Sequence, residues 1–200
     1  MRRWSIFVRV FGLGQADQPG RDDRARSRRL EARVEGLEGR QLLTGGSVVQ
    51  NWALVIITPA SIGPNVAIVS YQSHNGVKML DVNLNSADNY FSLSQVAFVY
   101  YEGSGISGTQ TFMDATSLHT VAWGGSGSNL FQGGSGQEVF FGGSGSNSFD
   151  AGSGFDVLVG GTGANVFNEN ASSGSGEIVE VGTQNSINVP QGATGYYTII

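Results

Sequence analysis

The chain of 200 residues has no cysteine, which excludes disulfide staples, thiolate nucleophiles and cysteine-based metal sites. Positive charge is scarce outside one end: of 11 Lys and Arg, ten lie between Arg2 and Arg40, and Lys78 is the only cation afterwards. From residue 41 onwards that lysine stands against ten carboxylates, a net charge of −9. Such a body repels nucleic-acid phosphate and attracts divalent cations. Histidine occurs twice. His74 falls in a polar turn and His119 in a strand-like run, and each reads as a surface or strand residue, not as a base or ligand. No G-x-S-x-G elbow, Walker lysine motif or H-E-x-x-H is found. Asp81, Asp88 and Asp114 are isolated carboxylates that no spacing pairs. No apolar run approaches the ~20 residues that a membrane helix needs.

What the chain does have is glycine, 31 residues of it, in a fixed order. Residues 124–168 repeat every nine: GGSGSNLFQ, GGSGQEVFF, GGSGSNSFD, AGSGFDVLV, GGTGANVFN. A short fixed period of this kind signals a stacked solenoid. Glycine at the second and fourth positions suits tight turns. Phe131, Phe140, Phe149, Leu158 and Phe167 at the eighth position each point one large apolar group at a common interior. One unit buries almost nothing alone, so order should depend on stacking.

The pattern resembles the RTX calcium-binding nonapeptide repeat, G-G-x-G-x-D-x-U-x with U a large apolar residue. The resemblance implies an all-β fold, a right-handed parallel β-roll or β-solenoid in which two successive units make one turn. It also implies calcium in the turns, held by sixth-position carboxylates and backbone carbonyls. Here the sixth positions are Asn129, Glu138, Asn147, Asp156 and Asn165. With alternate units stacked, the three asparagines line one edge without charge, while Glu138 and Asp156 line the other. Calcium takes six to eight oxygens, usually with carboxylates to offset its charge. It is therefore expected at Glu138 and Asp156, with weak or partial occupancy. The Asn129, Asn147, Asn165 edge is expected to bind weakly or to form an amide ladder.

Positions seven and nine should face solvent. In the even units these are Val139, Phe141, Val157 and Val159, and if Leu118–Trp123 stacks in register Val121 and Trp123 extend the surface. An apolar strip of this size implies a cover: the chain's own C-terminal segment, another copy, or a surface component.

Before the repeats, apolar and β-branched runs at 48–58, 66–71, 77–84, 90–93, 96–101 and 109–113 are separated by turn-formers. Gly103–Gly108 matches G-x-G-x-x-G, but no helix follows, so it reads as an expanded turn of the same solenoid. The expected organisation is a basic leader, 1–46, disordered with a short helix; a β-rich first part of the solenoid, 47–123; the repeats, 124–168; and a C-terminal β cap, 169–200, with strands around Ile178, Ile187 and Tyr196. Within the leader, Leu37–Gly45 resembles the L-E-x-R-x-L-L-[ST]-[AG] motif that precedes the mature part of many bacterial exported surface proteins. Three function classes follow: a secreted or cell-surface calcium-binding β-roll with a structural, adhesive or matrix role and no catalysis; a metal-free solenoid that associates through its apolar face; or an appendage of an extracellular polysaccharide-acting enzyme.

Overall fold

The computed structural model describes residues 46–168, 177–180, 184–188 and 196–199. The leader, its expected helix and its export-type motif lie outside these residues. Among the described residues the secondary structure is all strand apart from a 3₁₀ turn at Leu93–Gln95.

Two parallel ladders face each other across one core. The first joins β2 (Leu54–Thr58), β6 (Phe98–Glu102), β8 (His119–Trp123), β10 (Glu138–Phe141), β12 (Val157–Val159), β14 (Glu177–Glu180) and β16 (Tyr196–Ile199). The second joins β3 (Asn65–His74), β7 (Gln110–Asp114), β9 (Asn129–Gln132), β11 (Asn147–Asp150), β13 (Asn165–Asn168) and β15 (Asn185–Asn188). The chain alternates between the sheets, so each pair of nine-residue units completes one turn of a β-solenoid. Units two apart stack residue on residue: Phe131 opposite Phe149, Phe149 opposite Phe167, Phe140 opposite Leu158.

The eighth positions form the core. Phe131, Phe140, Phe149, Leu158 and Phe167 are buried, and the rings of Phe131 and Phe149 stack at 5.3 Å, those of Phe149 and Phe167 at 4.9 Å. Phe112 continues the column one coil earlier, opposite Phe131, so the 103–109 segment is an expanded turn of the roll. That location leaves no helix for a dinucleotide site.

At the glycines in the second and fourth positions of the unit the turns stack too closely for a side chain. A Cβ on Gly145 would lie 1.7 Å from the Gly127 carbonyl oxygen, and Gly161, at φ 97°, would meet the Gly143 carbonyl at 1.8 Å. This is the physical reason that the repeat cannot exchange glycine for another residue there.

One part differs from the sequence reading. Residues 48–58 are not one strand but a hairpin: β1 (Ser47–Asn51) runs antiparallel to β2, with Asn51 opposite Leu54. The chain reverses at Trp52, φ 56°, a left-handed conformation that a bulky residue rarely adopts and that no glycine announces. The C-terminal strands expected around Ile178, Ile187 and Tyr196 are present and pair in parallel, β14 on β12, β15 on β13 and β16 on β14. Antiparallel strands close the opposite end. There β4 (Val77–Leu84) pairs with β3, β5 (Ala87–Ser92) pairs with β4, and Leu80, Val82 and Leu84 join the common core.

Candidate metal centre

The two rows of turns give the roll two unlike edges. Where the chain passes from the second sheet back to the first, through residues 115–118, 133–137 and 151–156, the edge carries acid. Glu138 begins β10 and sits fully buried at 0% exposure; Asp156, one coil on and just before β12, is 2% exposed. The Glu138 amide donates to Asp156 Oδ1 at 2.9 Å, which ties the two coils together. Neither carboxylate oxygen of Glu138 has a hydrogen-bond partner of acceptable geometry. Burial first, then the adjoining Asp156 and the charge of Asp114, push its pKa up to about 9, against an opposing pull from the Gly134 amide. Burial raises Asp156 as well, with contacts to Glu138 pulling the other way.

The surroundings of Glu138 are rich in oxygen. A Cβ on Gly133 would lie 3.1 Å from its Oε2 and 2.1 Å from the Ala151 carbonyl; one on Gly136 would lie 3.1 Å from Oε1 and 2.0 Å from the Leu118 carbonyl. A buried carboxylate with orphaned oxygens, a second carboxylate beside it and crowded carbonyls fit a hard dication, which needs oxygen ligands and negative charge. Among the described residues no three His, Cys, Asp or Glu side chains gather into a metal-holding group. The site is thus a carboxylate pair that backbone carbonyls would have to complete.

Sequence spacing missed Asp114. It lies one residue beyond the Met113–Gln132 pair, in the place that Gly133 and Ala151 hold in later coils, and is only 3% exposed. It accepts hydrogen bonds from the Thr116 amide at 2.7 Å and from the Thr120 hydroxyl. Those bonds partly offset the burial that raises its pKa. Thr120 stands directly opposite Glu138 in the ladder, so Asp114 reaches the same edge. Aligning the imperfect unit ending in Phe112-Met113-Asp114 with the repeats would have found it.

The other edge holds Asn129, Asn147 and Asn165, stacked in register and continued by Asn185 on one side and by Gln110 and Asn65 on the other. Gln110 Nε2 donates to Asn129 Oδ1 at 3.0 Å, Asn129 Nδ2 to Asn147 Oδ1 at 2.7 Å, Asn147 Nδ2 to Asn165 Oδ1 at 2.7 Å, and Asn165 Nδ2 to Asn185 Oδ1 at 2.9 Å. The buried Tyr101 hydroxyl donates to Gln110 Oε1 at 2.9 Å.

On the outside of the first sheet, Val121, Val139 and Val157 form one row and Trp123, Phe141 and Val159 the next. Trp123 and Phe141 stack at 3.9 Å and 11°, with Trp123 still 37% exposed.

Residues 116–149 and 141–168 match the family model of the RTX calcium-binding nonapeptide repeat in four copies. A search of curated proteins and a search of solved structures each return no match. The middle of this chain is therefore similar to the RTX calcium-binding nonapeptide repeat, and it is wound as a β-solenoid. Among the described residues no helix is long and apolar enough to cross a membrane.

Proposed function

We propose that the protein is a secreted or cell-surface calcium-binding β-roll with a structural, adhesive or matrix role and no catalysis. The observation that carries the calcium part is Glu138: a buried carboxylate with two orphaned oxygens, beside Asp156 and among turn carbonyls. Glu138 and Asp156 would hold the ion, with Asp114 adding negative charge nearby. The ion would supply the positive charge that this edge otherwise lacks, since Lys78 is the only cation after Arg40. Export is supported by the usual setting of such repeats and by the absence of cysteine, which leaves ions and sheet to stiffen the body.

Calorimetric titration tests the reading. Wild type should take up calcium at millimolar concentration or below and melt higher with it, and the double variant Glu138→Gln, Asp156→Asn should do neither. No heat and no melting shift for wild type would overturn the proposal.

A second role is favoured by the Trp123/Phe141 stack and the valine rows beside it: association through the outer face of the first sheet, with another copy or an uncharged surface component. Replacing Phe141 and Val159 together with lysine should abolish any concentration-dependent mass in analytical ultracentrifugation. Unchanged sedimentation of a folded variant would remove this role.

A further inference from the structure

The edge lined by amides is as buried as the acidic edge, yet it is complete without any ion. Each amide nitrogen sits in a cage of oxygens. Asn129 Nδ2 lies within hydrogen-bond distance of the carbonyls of Gly142 at 2.9 Å, Gly127 at 3.0 Å and Gly125 at 3.3 Å and of Asn147 Oδ1 at 2.7 Å, which share its two protons. Asn147 Nδ2 reaches Gly160 O at 3.0 Å, Gly145 O at 2.9 Å and Asn165 Oδ1. Asn165 Nδ2 reaches Gly163 O at 3.0 Å, Gly161 O at 3.2 Å and Asn185 Oδ1. For Asn129 and Asn147 these oxygens come from the turn of the residue's own unit, from a turn one coil on and from the next side chain; for Asn165 they come from its own turn and the next side chain. A cation bridging stacked turns would need the same set.

We infer that on this edge the amide nitrogens of Asn129, Asn147 and Asn165 stand in for cations, so that the edge is closed without calcium. Three observations support the inference. The nitrogen bears partial positive charge and offers its two protons to buried turn carbonyls and to the next side chain. The whole column, Asn65, Gln110, Asn129, Asn147, Asn165 and Asn185, contains no formal charge, so a dication placed there would meet no neutralising carboxylate. It would also have to expel the Nδ2 groups from the positions it needs. The roll therefore has one edge closed permanently by side chains and one whose closure responds to the medium. The statement about the amide edge stands on its own geometry; the calcium response of the opposite edge rests on the proposal above.

The test uses Asn147→Asp in the full chain. The substitution exchanges the Nδ2 donor for a second carboxylate oxygen that faces Gly145 O, Gly160 O and Asn165 Oδ1. With chelator present, N147D should melt at least ~5 °C below wild type, and calcium should restore most of the loss by making a site that wild type lacks. Folding only in calcium supports the inference equally. An N147D protein that melts with wild type in chelator overturns it. If N147D folds in neither condition, Asn165→Asp takes its place with the same expected and refuting results. Hydrogen exchange on wild type gives the second readout. On calcium removal, amides of residues 133–137 and 151–156 should lose protection tenfold or more, while those of 124–128 and 142–146 should not change. Loss at both edges refutes the amide closure and leaves calcium binding intact. Failure of wild type to take up calcium refutes only the acidic edge, and N147D in chelator still decides the other.

Discussion

Removing calcium should make the protein alkali-sensitive in a way that one residue controls. Glu138 ordinarily titrates at 4.5 but is pushed to about 9 in the fold by burial and by Asp156 and Asp114. Between those values the folded chain holds a proton that the unfolded chain has lost. Stability in chelator should therefore fall as pH rises through that window, by at most ~1.4 kcal/mol per pH unit for a single proton. For a domain of this size that is ~3–6 °C per unit. The raised pKa of Asp156 adds a fall of the same sign, beginning above its ordinary value of 3.8. Bound calcium requires the ionised carboxylate, so the slope should flatten when calcium is restored. Thermal melts followed by far-UV circular dichroism at about pH 6, 7 and 8, within the titration window, measure it. Glu138→Gln cannot ionise and should lose most of the slope in chelator. A flat melting temperature for chelated wild type, or an equal slope in the glutamine variant, would show that Glu138 is not held neutral.

Three further outcomes follow from the packing. Phe149→Ala, between two stacked rings and fully buried, should cost about 3–5 kcal/mol in urea unfolding, whereas Val166→Ala on the outer face of the neighbouring strand should cost under ~1 kcal/mol. Gly145→Ala, whose new methyl would meet the Gly127 carbonyl at 1.7 Å, should lose more than ~2 kcal/mol or fail to accumulate as soluble protein. Gln110→Leu removes the acceptor of the buried Tyr101 hydroxyl and the donor to Asn129, and should cost about 1–3 kcal/mol in the same assay with little change in calcium uptake.

The nine-residue period made the β-solenoid legible because every unit states its role twice, in glycines too crowded to substitute and in one apolar residue per strand. The contrast between Glu138/Asp156 and the asparagines was legible for the same reason, since a fixed period converts sequence position into edge. Where the period lapses, so does the reading. The Trp52 reversal uses a left-handed tryptophan that turn chemistry does not signal. The β4–β5 pair closes one end antiparallel through ordinary alternating residues, which look the same whichever direction the neighbour runs. Asp114 appeared isolated because its unit precedes the clean repeats, although the ladder brings it to the edge of Glu138.

Gln110, Asn129, Asn147 and Asn165 each donate to the rung of the later coil, and Asn129, Asn147, Asn165 and Asn185 each accept from the earlier one. The amide dipoles accordingly point the same way along the axis, and each polarises the next as peptide units do in a helix. A pair of repeats spliced in, eighteen residues with its own asparagine, would join this queue without adding charge to the amide edge. The roll has a grain, and it can be lengthened along that grain one rung at a time.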